Sequence, residues 1–110
     1  MDGPPAPDGT PDTRSDLLIM ERRLWHILAG TDGGRNRAKI IRALHRSPDN
    51  ANQLAERLAL NYNTVRYHLD VLEGHEIVES TDDDYGQEYD LTAQLYRHWE
   101  TFERIADDIE

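Results

Sequence analysis

Cysteine is missing from the 110 residues, which excludes disulfides, thiolate zinc sites and cysteine nucleophiles. Lysine is nearly missing too: Lys39 is the single lysine among twelve basic side chains. No apolar run nears the roughly 20 residues that span a bilayer, and no signal peptide is read at the N-terminus. No membrane partner is therefore expected. A glycine-rich phosphate loop, a nucleophile elbow and a His/Glu metal motif are all wanting, so no enzyme and no cofactor is expected. The five histidines are scattered without ligand-like spacing, and no metal is expected either. Positive charge is scarce overall. Twenty-two acids against twelve bases give a net −10, which on its face argues against nucleic acid, because phosphate contacts need Lys and Arg.

The distribution along the chain reverses that argument. Residues 1–32 carry a net −3, residues 33–69 a net +5, and residues 70–110 a net −12. Asymmetry of this kind is a better guide to partners than the total. The cationic block holds Arg35, Arg37, Lys39, Arg42, Arg46, Arg57 and Arg66 against only Asp49 and Glu56.

Residues 1–14 hold four prolines and two glycines with almost nothing apolar. Such a segment cannot bury enough surface to offset its ordering entropy and reads as a disordered tail, leaving residues 15–110 as one domain. Ser15 is expected to cap a helix through about Ala29, closed by Gly30 in a left-handed conformation. Its apolar stripe is Leu17, Met20, Leu24, Ile27 and Leu28; Leu18, Ile19 and Trp25 lie off the stripe, so a second sticky face suggests a partner subunit. A second helix, about Asn36–Arg46, turns Ile40, Ile41 and Leu44 inward and stops at Ser47-Pro48. Asn50, with Gln53 three residues on, reads as a capping box for a short helix bearing Leu54, Ala55 and Leu58. After a tight turn at Leu60-Asn61, Asn61 caps a helix from Tyr62 to about Gly74, with Val65, Leu69 and Leu72 in the core.

Ile77–Ser80 and Tyr85–Leu91 read as a β-hairpin around a polar turn at Thr81–Asp84, with Gly86 permitting a bulge. Thr92 caps a last helix whose Leu95, Trp99, Phe102, Ala106 and Ile109 alternate four and three apart, a seam that suits packing on another long helix. Trp25 and Trp99 are expected to meet between the outer helices. The dimer interface is read as Leu24, Trp25, Leu28, Leu95, Trp99 and Phe102.

Two short helices joined by a tight turn and followed by a hairpin make a winged helix-turn-helix, a mainly α (α+β) fold with extra helices at both ends. The second helix of the pair offers Tyr62, Asn63, Arg66 and Tyr67 outward near its N-terminus. Arginine pairs bidentately with guanine and asparagine with adenine, while tyrosine reaches thymine methyls or phosphates. Arg66 could instead pair with Asp70 one turn on; groove contact is the favoured reading.

The segments GGRNRAKIIRAL (33–44), NANQLAERL (50–58), NYNTVRYHLDVL (61–72) and YGQEY (85–89) resemble the winged-helix regulators of the ArsR-like group, in their small acidic form from halophilic archaea. The resemblance spans residues 33–91. It implies a cytoplasmic, homodimeric, sequence-specific transcriptional regulator bound to double-stranded DNA. By position, Tyr62, Asn63, Arg66 and Tyr67 would read bases, and Thr64 and His68 would support phosphate or inter-helix contacts. Arg37 and Arg42 of the cationic block are expected, on their charge, to hold the DNA backbone. Metal-sensing members of the group carry cysteine pairs or carboxylate and histidine ligands that this chain lacks. The wing, Thr-Asp-Asp-Asp-Tyr-Gly, offers three aspartates where a base would normally meet phosphate, so it is expected to stay off the backbone or to be screened by molar salt. The competing reading is a protein-interaction adaptor of the transcription machinery without direct base readout.

Overall fold

The computed structural model describes residues 13–30, 32–83 and 86–109, so the tail expected over residues 1–14 lies mostly outside them. Helix α1 spans Thr13–Leu28. It is already helical two residues before Ser15, the expected cap, and Gly30 does not adopt the left-handed conformation. Met20, Leu24, Ile27 and Leu28 are buried, with Leu17 half-buried at the end of the stripe.

Helix α2, Gly34–Arg46, follows after a short break, and a Cβ on Gly34 would overlap the Leu28 carbonyl oxygen. Only glycine lets the end of α1 approach the start of α2 this closely. Ile40, Ile41 and Leu44 are fully buried, and the helix ends at Ser47 ahead of Pro48.

Helix α3, Ala51–Leu58, is capped by Asn50, whose side chain accepts from the Gln53 backbone N–H at 2.8 Å. The reciprocal half of the box differs from expectation: the Asn50 N–H donates to Asp49 Oδ1 at 2.9 Å. Ala59 closes α3 in the left-handed region (φ 56°, ψ 43°), and Leu60 N–H returns to the Ala55 carbonyl at 2.9 Å. Asn61 then caps α4, Tyr62–Gly74, accepting from the Asn63 N–H. Val65, Leu69 and Leu72 are fully buried.

The left-handed residue after α4 is Glu76 (φ 60°), where Ile77 N–H reaches back to the Leu72 carbonyl. Strands β1, Val78–Asp83, and β2, Gly86–Leu91, form an antiparallel hairpin in unbroken register from Val78 opposite Leu91 to Asp83 opposite Gly86. Thr81–Asp83 are thus strand rather than turn, and Gly86 closes the ladder without a bulge. The acidic tip falls outside the described residues at 84 and 85, and the side chains of residues 82–86 are not described. An isolated bridge ties Asp49 to Tyr89 through two backbone hydrogen bonds, so the wing is anchored beside the start of α3.

The final helix is two helices. Thr92 caps α5, Ala93–Arg97, and α6 runs Trp99–Ile109 after a break at His98. The break rotates the seam: Leu95, Thr101, Phe102, Ile105 and Ala106 are buried, while Trp99 and Ile109 are only partly covered. α6 packs on α1, with Arg104 donating to Glu21 at 2.6 Å. Leu24, Leu28, Leu95 and Phe102, expected at a dimer interface, are the core of the single chain instead. The expected Trp25–Trp99 contact does not form. Trp99 stacks on His45 of α2 at 3.7 Å and 5° and packs against Phe102, whereas Trp25 is 40% exposed.

Candidate nucleic-acid interface

Helix α4 presents its face from a well-made start. The Asn61 cap satisfies one orphan amide of the first turn, and buried Val65, Leu69 and Leu72 lock the opposite face into the core. Tyr62, Asn63 and Tyr67 stand in solvent, and Thr64 is half-buried. Of the four positions read from the sequence as one outward patch, Tyr62, Asn63 and Tyr67 are exposed and Arg66 lies half-buried among them.

Arg66 is less free than a groove-reading arm would be. It donates to the Tyr62 hydroxyl at 3.5 Å, it makes no ion pair with Asp70, and its Nε is buried without a partner. Its guanidinium pKa is raised, chiefly by the Tyr62 hydrogen bond and then by nearby Tyr89. Tyr62 and Arg66 form one wall of a cleft of about 440 Å³, closed by Asn50, Ala51 and Asn52 of the α3 start and by Gln87 and Tyr89 of β2. Tyr89 is buried, with its hydroxyl donating to Gln87 Oε1 at 3.2 Å; burial raises its phenol pKa. Asn52, Gln87 and Tyr89 escaped the sequence reading. Their one signal is the period of two along β2, which puts Gln87, Tyr89 and Leu91 on one side of the strand.

The cationic block is not the patch that its spacing suggested. Arg37 is 4% exposed, donating from Nε to His68 Nδ1 at 3.1 Å and to the Ile27 carbonyl at 3.0 Å. A side chain so placed cannot hold a DNA backbone, so its expected phosphate role is withdrawn. His68 is likewise buried rather than a phosphate contact. Arg42 reaches α6, donating to Asp107 at 3.3 Å and lying over the Phe102 ring. Its guanidinium is thus engaged with α6, at a surface ion pair rather than in the core. Arg57 pairs with Asp49 at 3.0 Å and caps the Ala43 carbonyl at the end of α2. Arg35, Lys39 and Arg46 remain exposed.

The chain is built from a helix-turn-helix pair with its second helix standing clear, an antiparallel hairpin pinned beside it and helices at both ends. The fold is a winged helix-turn-helix. Residues 35–81 match a family model described as a helix-turn-helix domain. Solved structures share the whole winged helix-turn-helix architecture. A homodimeric winged helix-turn-helix DNA-binding domain from Mycobacterium bovis, described as a possible ArsR-family transcriptional regulator, has 22% identity and a TM-score of 0.65, covering 93% of this chain and 92% of that one. An ArsR-like transcriptional regulator from a Rhodococcus species has 26% identity and a TM-score of 0.57, over 87% and 84% of the two chains. A MarR family transcriptional regulator from Silicibacter pomeroyi has 19% identity and a TM-score of 0.61, over 98% and 81%. No curated protein sequence matches this one. Among the described residues, no cluster of three or more His, Asp or Glu side chains could hold a metal ion, and no helix is long and apolar enough to cross a membrane.

Proposed function

We propose that this winged helix-turn-helix chain is a sequence-specific transcriptional regulator, not an enzyme, which binds double-stranded DNA as a homodimer. The observation that carries the reading is the capped N-terminal half of α4, where Tyr62, Asn63 and Tyr67 project clear of the core. A helix so exposed fits the major groove, and a two-fold dimer would set two of them roughly 34 to 36 Å apart in successive grooves. Support comes from the relatives: the Mycobacterium bovis domain is described as DNA-binding and homodimeric, and the other two as transcriptional regulators.

The dimer would use the outer face of α1. Leu18 and Ile19 are 57% and 51% exposed, and with Trp25 they form the apolar surface left uncovered by the single chain. Base readers on this reading are Tyr62, Asn63 and Tyr67, with Thr64 at the groove edge. The excess of acid and the preference for arginine over lysine suit a high-salt interior, where charge repulsion is screened over about 3 Å at molar salt. Repression by promoter occlusion and activation are both compatible with these residues.

The test is selection of bound duplexes from a random pool at high potassium concentration. A recovered consensus with two-fold symmetry supports the reading. A pool that returns unenriched, with a protein partner recovered on the acidic face, sinks it in favour of the adaptor.

A further inference from the structure

The cleft beside Arg66 has a character at odds with the rest of the molecule. In a chain of 22 acids, Arg23, Arg42, Arg57, Arg97 and Arg104 are each drawn to a carboxylate within 4.0 Å. Arg66 is not. The described residues that line the cleft it faces, Asn50, Ala51, Asn52, Tyr62, Gln87 and Tyr89, include no acid, and Asp70 acts on it without an ion pair. Among the described residues its hydrogen-bonded partner is the neutral Tyr62 hydroxyl at 3.5 Å, and its Nε–H has none.

The neighbours are oriented as well as neutral. Tyr89 is held at both backbone groups by Asp49 and spends its hydroxyl on Gln87 Oε1. With that oxygen occupied, the free end of the Gln87 amide is its NH₂, a donor. Asn50, whose Oδ1 is taken by the Gln53 N–H, is left in the same state. Among the described residues the cleft therefore combines a held cation with amide donors and no carboxylate in contact with it, which is the complement of an anion with several acceptor oxygens.

We propose that this cleft seats one phosphodiester of the duplex backbone, with Arg66 supplying the charge and Gln87, on the second rung of the hairpin opposite Asp82, an amide donor. The proposal rests on the DNA-binding reading above and changes the role of Arg66 within it: Arg66 anchors a phosphate, and base readout falls to the exposed Tyr62, Asn63 and Tyr67.

The experiment compares the unaltered protein with Arg66→Ala and Gln87→Glu, measuring affinity for several duplexes across a salt series. Gln87 is exposed, so its substitution leaves the core untouched, and the new carboxylate would neutralise Arg66 in place. Both variants are expected to weaken every duplex by the same factor, with the slope of log affinity against log salt shallower by about 0.9 per protomer, about 1.8 for the dimer, and base preference unchanged. A lost preference at one base position with the slope intact overturns the proposal and makes Arg66 a base reader, while DNA binding stands. Unchanged affinity and slope in both variants overturn it too. Absence of duplex binding by the unaltered protein at every salt concentration overturns this proposal together with the reading on which it rests.

Discussion

The Nε of Arg37 on α2 donates to Nδ1 of His68 on α4 at 3.1 Å, inside the core. One guanidinium thereby joins three helices, since its NH1 also holds the Ile27 carbonyl of α1. Because Nδ1 accepts, His68 is neutral with its proton on Nε2. Burial first, and the Arg37 charge second, lower the His68 pKa below its ordinary 6.5.

This geometry sets a pH dependence. The unfolded chain takes up a proton on His68 near pH 6.5, whereas the folded chain resists it, so stability rises with pH across that window and falls as pH drops below about 6.5. Urea midpoints measured from pH 7.5 to pH 5 should decline. In His68→Gln, which keeps an acceptor for Arg37 and cannot titrate, the decline should be smaller; an equal decline would place its source elsewhere. Arg37→Ala should cost about 2 to 3 kcal/mol, because a charged donor to two buried acceptors is lost, and should leave the salt slope of DNA binding as it was.

The outer face of α1 separates association from folding. Leu18→Glu together with Ile19→Glu alters exposed positions and should shift sedimentation toward monomer with little change in the thermal midpoint. Leu24→Ala removes a fully buried side chain and should cost about 2 to 5 kcal/mol in the single chain. A dimer unaffected by the double charge substitution would move the interface off this face.

Ala59 adopts a left-handed backbone between α3 and α4. The Cβ of an alanine strains that conformation, and glycine does not. Ala59→Gly should therefore raise stability by about 0.5 to 1 kcal/mol, read from denaturant midpoints, with DNA affinity preserved because the turn keeps its shape.

Tyr96 donates to Asp90 Oδ1 at 2.6 Å. That hydrogen bond, with burial and the carboxylate charge behind it, pushes its phenol pKa to about 12. A folded-state pKa raised in this way favours the fold below pH 10 and loses that contribution as pH climbs toward 12. Ultraviolet titration should show Tyr96 ionising late, alongside the buried Tyr89, and Asp90→Asn should bring the Tyr96 component back toward 10.

Much of the fold was legible because it is local. Asn50, Asn61 and Thr92 cap helices where their short polar side chains can reach the first free amides, and the periodic Ile40, Ile41, Leu44, Val65, Leu69 and Leu72 are core. What failed was everything that needed a side chain's direction in space. Leu24 and Phe102 carried the pattern of a sticky face, yet a helix packed on its own chain and a helix packed on a partner write the same spacing. His98 interrupts a seam that looked continuous. The cationic block counted charges without knowing that Arg37 turns inward, or that Arg42 and Arg57 find acids in Asp107 and Asp49.

The opening scarcity can now be divided between the two levels. The sequence by itself determined the absence of thiol chemistry, the shortage of lysine, the concentration of positive charge in the middle third and the helix boundaries around Asn61, since each depends on composition or on neighbours within a turn. Which cations remain available was decided only by tertiary structure. The acids that neutralise Arg42 and Arg104 come from the far ends of the chain, and the neutral lining that leaves Arg66 unneutralised is gathered from α3, α4 and β2. Coulomb and hydrogen-bond partners are chosen by distance in space, and packing sets that distance.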